Sequence, residues 1–111
     1  MRHCDHERME AFIGIIKEHQ GAEKAITSGE IARMMNIVDG SGNPTTRRLI
    51  RRCMEQHNLP VGACDYGYYW MIRPEELKQY LATLQGRIDA IASRMEAVER
   101  NYHAFVRDTV A

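Results

Sequence analysis

Apolar residues recur along this chain with helical spacing at both ends, and a short alternating stretch divides the two. In residues 5–19, Met9, Phe12, Ile13 and Ile16 recur at three and four positions, while Glu7, Glu10, Lys17 and Glu18 fall on the other side. That pattern predicts an amphipathic helix. Asp5 is its expected N-cap and Gly21 its expected stop. Gly14 in mid-helix costs roughly 1 kcal/mol relative to alanine.

A second helix is predicted to open at Thr27 and Ser28. With Thr27 as N-cap, Glu30 stands at the third helical position and completes a capping box. Ile31 and Met35 lie one turn apart, and Ala32 leaves room for a close neighbour. Asn36 and Ile37 are expected to end the helix, because asparagine tolerates the left-handed conformation of a tight stop. Residues 39–43, Asp-Gly-Ser-Gly-Asn, read as a turn. Pro44 suits the first turn of a third helix, which is expected to run to about His57. Leu49, Ile50, Cys53 and Met54 form its inward stripe. Thr45, Arg47, Arg48, Arg51, Arg52 and Glu55 face outward or sideways.

After Asn58 the rhythm changes to that of strands. Residues 59–61 are expected to begin a strand, 62–67 to connect, and 68–72 to return. Alternation puts Tyr68, Trp70 and Ile72 on one face and Tyr69 and Met71 on the other. Pro74, Glu75 and Glu76 then open a long helix. Its apolar positions are Leu77, Leu81, Leu84, Ile88, Ile91, Met95, Val98, Tyr102 and Phe105, at alternating spacings of 4 and 3. This is an unbroken heptad, the period of a left-handed coiled coil. Leu84, Ile88, Ile91, Met95, Val98, Tyr102 and Phe105 are therefore expected to form a dimerisation seam. Leu77, Tyr80 and Leu81 are expected to pack on the hairpin. Ala92, with Ala90 and Ala97, broadens the apolar face and leaves room for a higher oligomer. The alternative packing folds the helix back onto the first one. The expected organisation is a domain over 1–73 and a dimerisation helix over 74–108.

Net charge is zero and gives no support to nucleic-acid binding by itself. The distribution does. Residues 44–72 hold four basic and two acidic side chains, whereas residues 1–43 hold five and seven. The positive excess is concentrated on the third helix.

Three cysteines, Cys4, Cys53 and Cys64, do not suggest a closed disulfide set, which implies a reducing compartment. No apolar run approaches bilayer length and none has the layout of a secretory signal. A cytoplasmic protein with no membrane partner is expected. His3, Cys4 and His6 are ligand types, but zinc needs four ligands with suitable spacing. Cys53, His57 and Cys64 do not complete the set, because Cys53 is on an inward stripe. Residues 39–42 lack the lysine and the preceding strand of a phosphate loop. No cysteine–histidine pair supports a catalytic dyad. No metal, no cofactor and no enzymatic activity are expected.

The segments ITSGEIARMMNI, TTRRLIRRCMEQHNLPV and YGYYWMI resemble winged helix-turn-helix domains. The type is that of the biotin-operon repressor's N-terminal module, and small phage and prophage helix-turn-helix proteins are closer still. The resemblance covers roughly residues 25–75. It implies a mainly α fold with a small β-hairpin wing, followed by the long coiled-coil helix. It implies that residues 28–35 support a recognition helix that enters the major groove of double-stranded DNA. Thr45, Thr46, Arg47, Arg48, Arg51 and Arg52 are the implied contacts, with arginine binding guanine edges or phosphate. Two features depart from the type. The turn over 38–43 is long, and the hairpin tip carries Asp65 where a phosphate-facing wing needs a cation. The implied function is a homodimeric, sequence-specific, phage-type transcriptional regulator. The alternative is a non-enzymatic protein-interaction adaptor or inhibitor on the same scaffold.

Overall fold

The computed structural model describes residues 2–110, with side chains from His6 to Thr109. Among the described residues four helices and one hairpin succeed each other: α1 (Arg2–Lys17), α2 (Ser28–Met34), α3 (Pro44–His57), β1 (Val61–Cys64), β2 (Gly67–Trp70) and α4 (Pro74–Val110). A single 3-10 turn, Ala22–Lys24, lies between α1 and α2. The protein is thus mainly helical with one two-stranded antiparallel hairpin and a long C-terminal helix. The chain divides into two compact units, one up to Tyr80 and one from Leu81. The expected boundary lies at 73/74, so the first turns of α4 belong to the first unit.

The first unit has one core. Met9, Phe12 and Ile16 of α1 meet Ile31 and Ala32 of α2, Leu49, Ile50 and Cys53 of α3, and Ile26, Ile37 and Val61. The predicted inward stripes of all three helices therefore converge, although Ile13, Met35 and Met54 stay partly buried at its margin. The Cys53 thiol donates to the Met9 carbonyl at 3.7 Å, and burial pushes its pKa up.

Thr27 caps α2 as expected, but the Glu30 side chain turns back to the Thr27 hydroxyl and not to its backbone amide, so only half of the capping box forms. Thr27 Oγ1 accepts from the Glu30 amide and donates to Glu30 Oε1, both at 3.1 Å. Asn36 is left-handed, with φ 56°, and stops α2. Asp5 does not cap α1, because the helix already begins at Arg2; its side chain lies outside those described. The same helix stops at Lys17, four residues before the expected glycine.

The hairpin differs from its expected outline. β1 spans 61–64 and only Asp65 and Tyr66 connect it to β2, so the six-residue connector is absent. The register pairs Val61 with Trp70 and Cys64 with Gly67. β2 has a second set of partners on its other edge. Ile26 and Tyr68 exchange both backbone hydrogen bonds at 2.8 Å, His19 O accepts from Trp70 N–H, and Gly21 N–H donates to Trp70 O. The stretch between α1 and α2 thereby acts as a third, irregular strand. This pairing makes β2 the central strand, with backbone partners on both edges. Tyr69 is buried, and Tyr68 and Trp70 pack against the core. Gly67 has φ +125°, and a Cβ there would collide with the Ile26 carbonyl. Only glycine fits where the two backbones approach this closely.

In α4 the first turn is held by Glu76, a buried carboxylate. Its Oε1 accepts from the amides of Ile72 and Arg73, and its Oε2 from the amide of Ala22. Leu77 stays exposed, and Tyr80 is half-buried, so the first turn is fixed mainly by this polar cluster rather than by apolar packing. The second unit is the remainder of α4. Of the predicted seam, Ile88, Ile91, Met95, Val98, Tyr102 and Phe105 are between 53% and 67% exposed, and Leu84 is half-buried.

Candidate nucleic-acid interface

The candidate site is built on α3. Its amino terminus is fixed by a residue in the preceding turn. Asp39 Oδ2 accepts from the amide of Thr46 at 2.8 Å and from Thr46 Oγ1 at 3.0 Å, and Oδ1 accepts from the amide of Thr45 at 3.2 Å. Oδ1 also closes back on the Gly40 amide. The carboxylate thus takes the place of an N-cap side chain, because Asn43, at the N-cap position, is left-handed and makes no capping bond. Asn43 Nδ2 instead faces the buried Ser28 Oγ at 3.4 Å, joining the turn to α2. Desolvation opposes ionisation of Asp39, but its bonds to Thr46, Thr45 and Gly40 outweigh it and hold the carboxyl down at about 2.

This arrangement corrects one expected contact. Thr46 is fully buried and its hydroxyl is committed to Asp39, so it is a capping and core residue and presents nothing to a ligand. Thr45 is half-buried and has its amide bound to the same carboxylate.

The four arginines are all exposed. Leu49, Ile50, Cys53 and Thr46 take the buried side of α3, which forces Arg47, Arg48, Arg51 and Arg52 outward. Arg47 is tethered: its Nε donates to the Gly42 carbonyl at 2.7 Å, leaving both terminal nitrogens for another partner. Glu55, also exposed, stands one turn beyond Arg51. The result is a solvent-facing basic stripe on a helix whose other side is anchored in the core.

The hairpin adds no cation. Its tip is Asp65 and Tyr66, with Tyr66 77% exposed and Cys64 exposed beside them. Tyr68 and Trp70 belong to the core margin and do not offer free faces for base stacking.

Asp39 and Glu76 are the structural side chains that sequence reading did not single out. Asp39 stands too far from Pro44 for the usual capping spacing. By its position Glu76 is an ordinary first-turn acid, and nothing in the sequence announces its bond to Ala22, 54 positions away.

Among the described residues no group of three or more His, Cys, Asp or Glu side chains could hold a metal ion. The side chains of His3 and Cys4 lie outside the described residues. No described helix is long and apolar enough to cross a membrane. No family model, no curated protein and no solved structure matches the chain.

Proposed function

We propose that this chain is a sequence-specific DNA-binding protein of winged helix-turn-helix type, acting as a homodimer in the manner of a phage or prophage transcriptional regulator. The observation that carries the reading is the exposed arginine stripe of α3, backed by a buried face that fixes the helix against α1 and α2. In this reading α2 supports, α3 enters the major groove, and the β1–β2 hairpin is the wing. Arginine contacts with phosphate make affinity fall steeply with salt. The exposed heptad of α4 pairs with a second copy, and two half-sites about one DNA turn apart are bound together. Each apolar seam residue removed from water contributes roughly 1.5–3 kcal/mol.

One observation favours a second reading, an adaptor that binds protein. Asp39 occupies the α3 amide groups that a phosphate would otherwise take, and Asp65 puts a carboxylate at the wing tip. Electrophoretic shift of mixed-sequence duplex DNA at low salt separates the two. The regulator shifts the duplex, and Arg47→Ala with Arg51→Ala removes the shift. An adaptor gives no shift with either protein.

A further inference from the structure

The four arginines of α3 do not occupy equivalent places. Taking about 100° per residue, the buried residues Thr46, Leu49, Ile50 and Cys53 define one side of the helix. Arg48, Arg51 and Glu55 fall within about 30° of the line opposite to it, and Arg47 and Arg52 lie about 70° to either side. A helix about 10–12 Å across fills a major groove about 12 Å wide. Its outermost line then faces the groove floor, and its flanks face the two phosphate walls.

From this division we propose that Arg48 and Arg51 read guanine edges while Arg47 and Arg52 clamp the two phosphate backbones. The proposal rests on the DNA-binding reading above and specifies how that site selects its sequence. Glu55 supplies an independent argument. A carboxylate on the same line as Arg48 and Arg51 is repelled by a phosphate there, whereas the groove floor offers it the amino group of cytosine as a donor. The central line is therefore suited to bases rather than backbone. Arg47 supplies another. Its bond to the Gly42 carbonyl holds the guanidinium to one side of the helix, at the turn, and not over the outermost line. A bidentate arginine–guanine pair discriminates sequence, whereas an arginine–phosphate contact fixes position only.

The test uses the full-length protein. A preferred duplex is selected from a random library, and the four single arginine-to-alanine variants are titrated against it and against single-base changes, over a range of salt. All four side chains are exposed, and circular dichroism confirms that each variant keeps its helix. Arg48→Ala and Arg51→Ala are expected to erase discrimination at one G·C position each, worth about 5- to 150-fold. Arg47→Ala and Arg52→Ala are expected to weaken binding to all sequences alike and to lower the salt slope by about one counterion. The proposal is overturned if Arg47→Ala or Arg52→Ala relaxes base preference while Arg48→Ala and Arg51→Ala only reduce the slope. A wild-type protein that selects no preferred duplex but still binds DNA overturns the division while leaving DNA binding standing. A wild-type protein that binds no duplex overturns both.

Discussion

The amide of Ala22 donates to Glu76 Oε2 at 2.7 Å, across 54 positions of the chain. The same carboxylate accepts the amides of Ile72 and Arg73. It therefore holds together the 3-10 turn after α1, the exit of the hairpin and the start of α4. Arg73 reinforces the joint by donating to both oxygens of Glu23, at 2.7 and 2.9 Å, and to Glu76 Oε2 at 3.2 Å. Glu76→Ala leaves three partly buried amides without their acceptor and is expected to cost about 1–3 kcal/mol, read by urea unfolding. Glu76→Gln keeps one acceptor oxygen and is expected to cost less. Equal stability of Glu76→Ala and wild type would remove Glu76 from this role.

Acid sensitivity follows from three depressed carboxyls. Asp39 is held at about 2, by amide and hydroxyl donors that overcome its desolvation. Glu23 is also held at about 2, first by its hydrogen bonds from Arg73. Glu76 lies below the usual glutamate value because the Ile72, Ala22 and Arg73 amides outweigh its burial. A folded-state value below the unfolded one means the unfolded chain binds more protons, so stability rises with pH. This contribution is complete above the unfolded values of about 4 and is lost as pH falls toward 2. Melting temperatures are expected to be flat from pH 7 to 5 and to drop between pH 4 and 2. Asp39→Asn is expected to make that drop shallower.

Two glycines are expected to respond in opposite ways. At Gly67 the positive φ and the Ile26 carbonyl leave no room for a side chain. Gly67→Ala is expected to destabilise the fold by about 3 kcal/mol or more, since strain and collision add. Gly14 lies in mid-α1, exposed, with nothing within 4 Å of an added Cβ. Gly14→Ala is expected to stabilise by about 0.5–1 kcal/mol through helix propensity. Denaturant midpoints of the two variants check both signs.

The α4 seam is tested by mass. Ile91 is 53% exposed in the single chain and stands at the centre of the heptad. Ile91→Asp places a charge in an apolar seam and is expected to lower the light-scattering mass from that of two chains to that of one. In a parallel pair Arg94 faces Glu99 of the second copy, so Glu99→Arg is expected to weaken the dimer more at low salt than at high. A wild-type protein that is monomeric at all concentrations would show that another partner covers this face.

Local rules made most of the first unit legible. The spacing of Met9, Phe12 and Ile16, the Thr27–Glu30 box, Asn36 and Pro44 each act within a turn or two of the chain, so the sequence displays them directly. The failures share one cause, the long-range pairing of backbone groups. Nothing near Gln20 or Ile26 signals that they line the edge of β2, 42 or more positions away, and Gly62, which reads as the start of a connector, is instead paired with Tyr69 inside β1. At the candidate site the arginines were legible because helical periodicity alone expels them from the core. Thr46 was equally legible, since it stands three, four and seven positions before Leu49, Ile50 and Cys53 on the buried side; what the sequence did not display is the Asp39 carboxylate that takes its hydroxyl.

DNA binding is tested most directly by a fluorescence-anisotropy titration of the wild-type protein with mixed-sequence duplex DNA at several salt concentrations. A DNA-binding dimer binds at low salt with an affinity whose logarithm falls linearly with that of the salt concentration, with a slope that reports several phosphate contacts. Absence of binding at the lowest salt, with the protein folded, would contradict the DNA-binding reading.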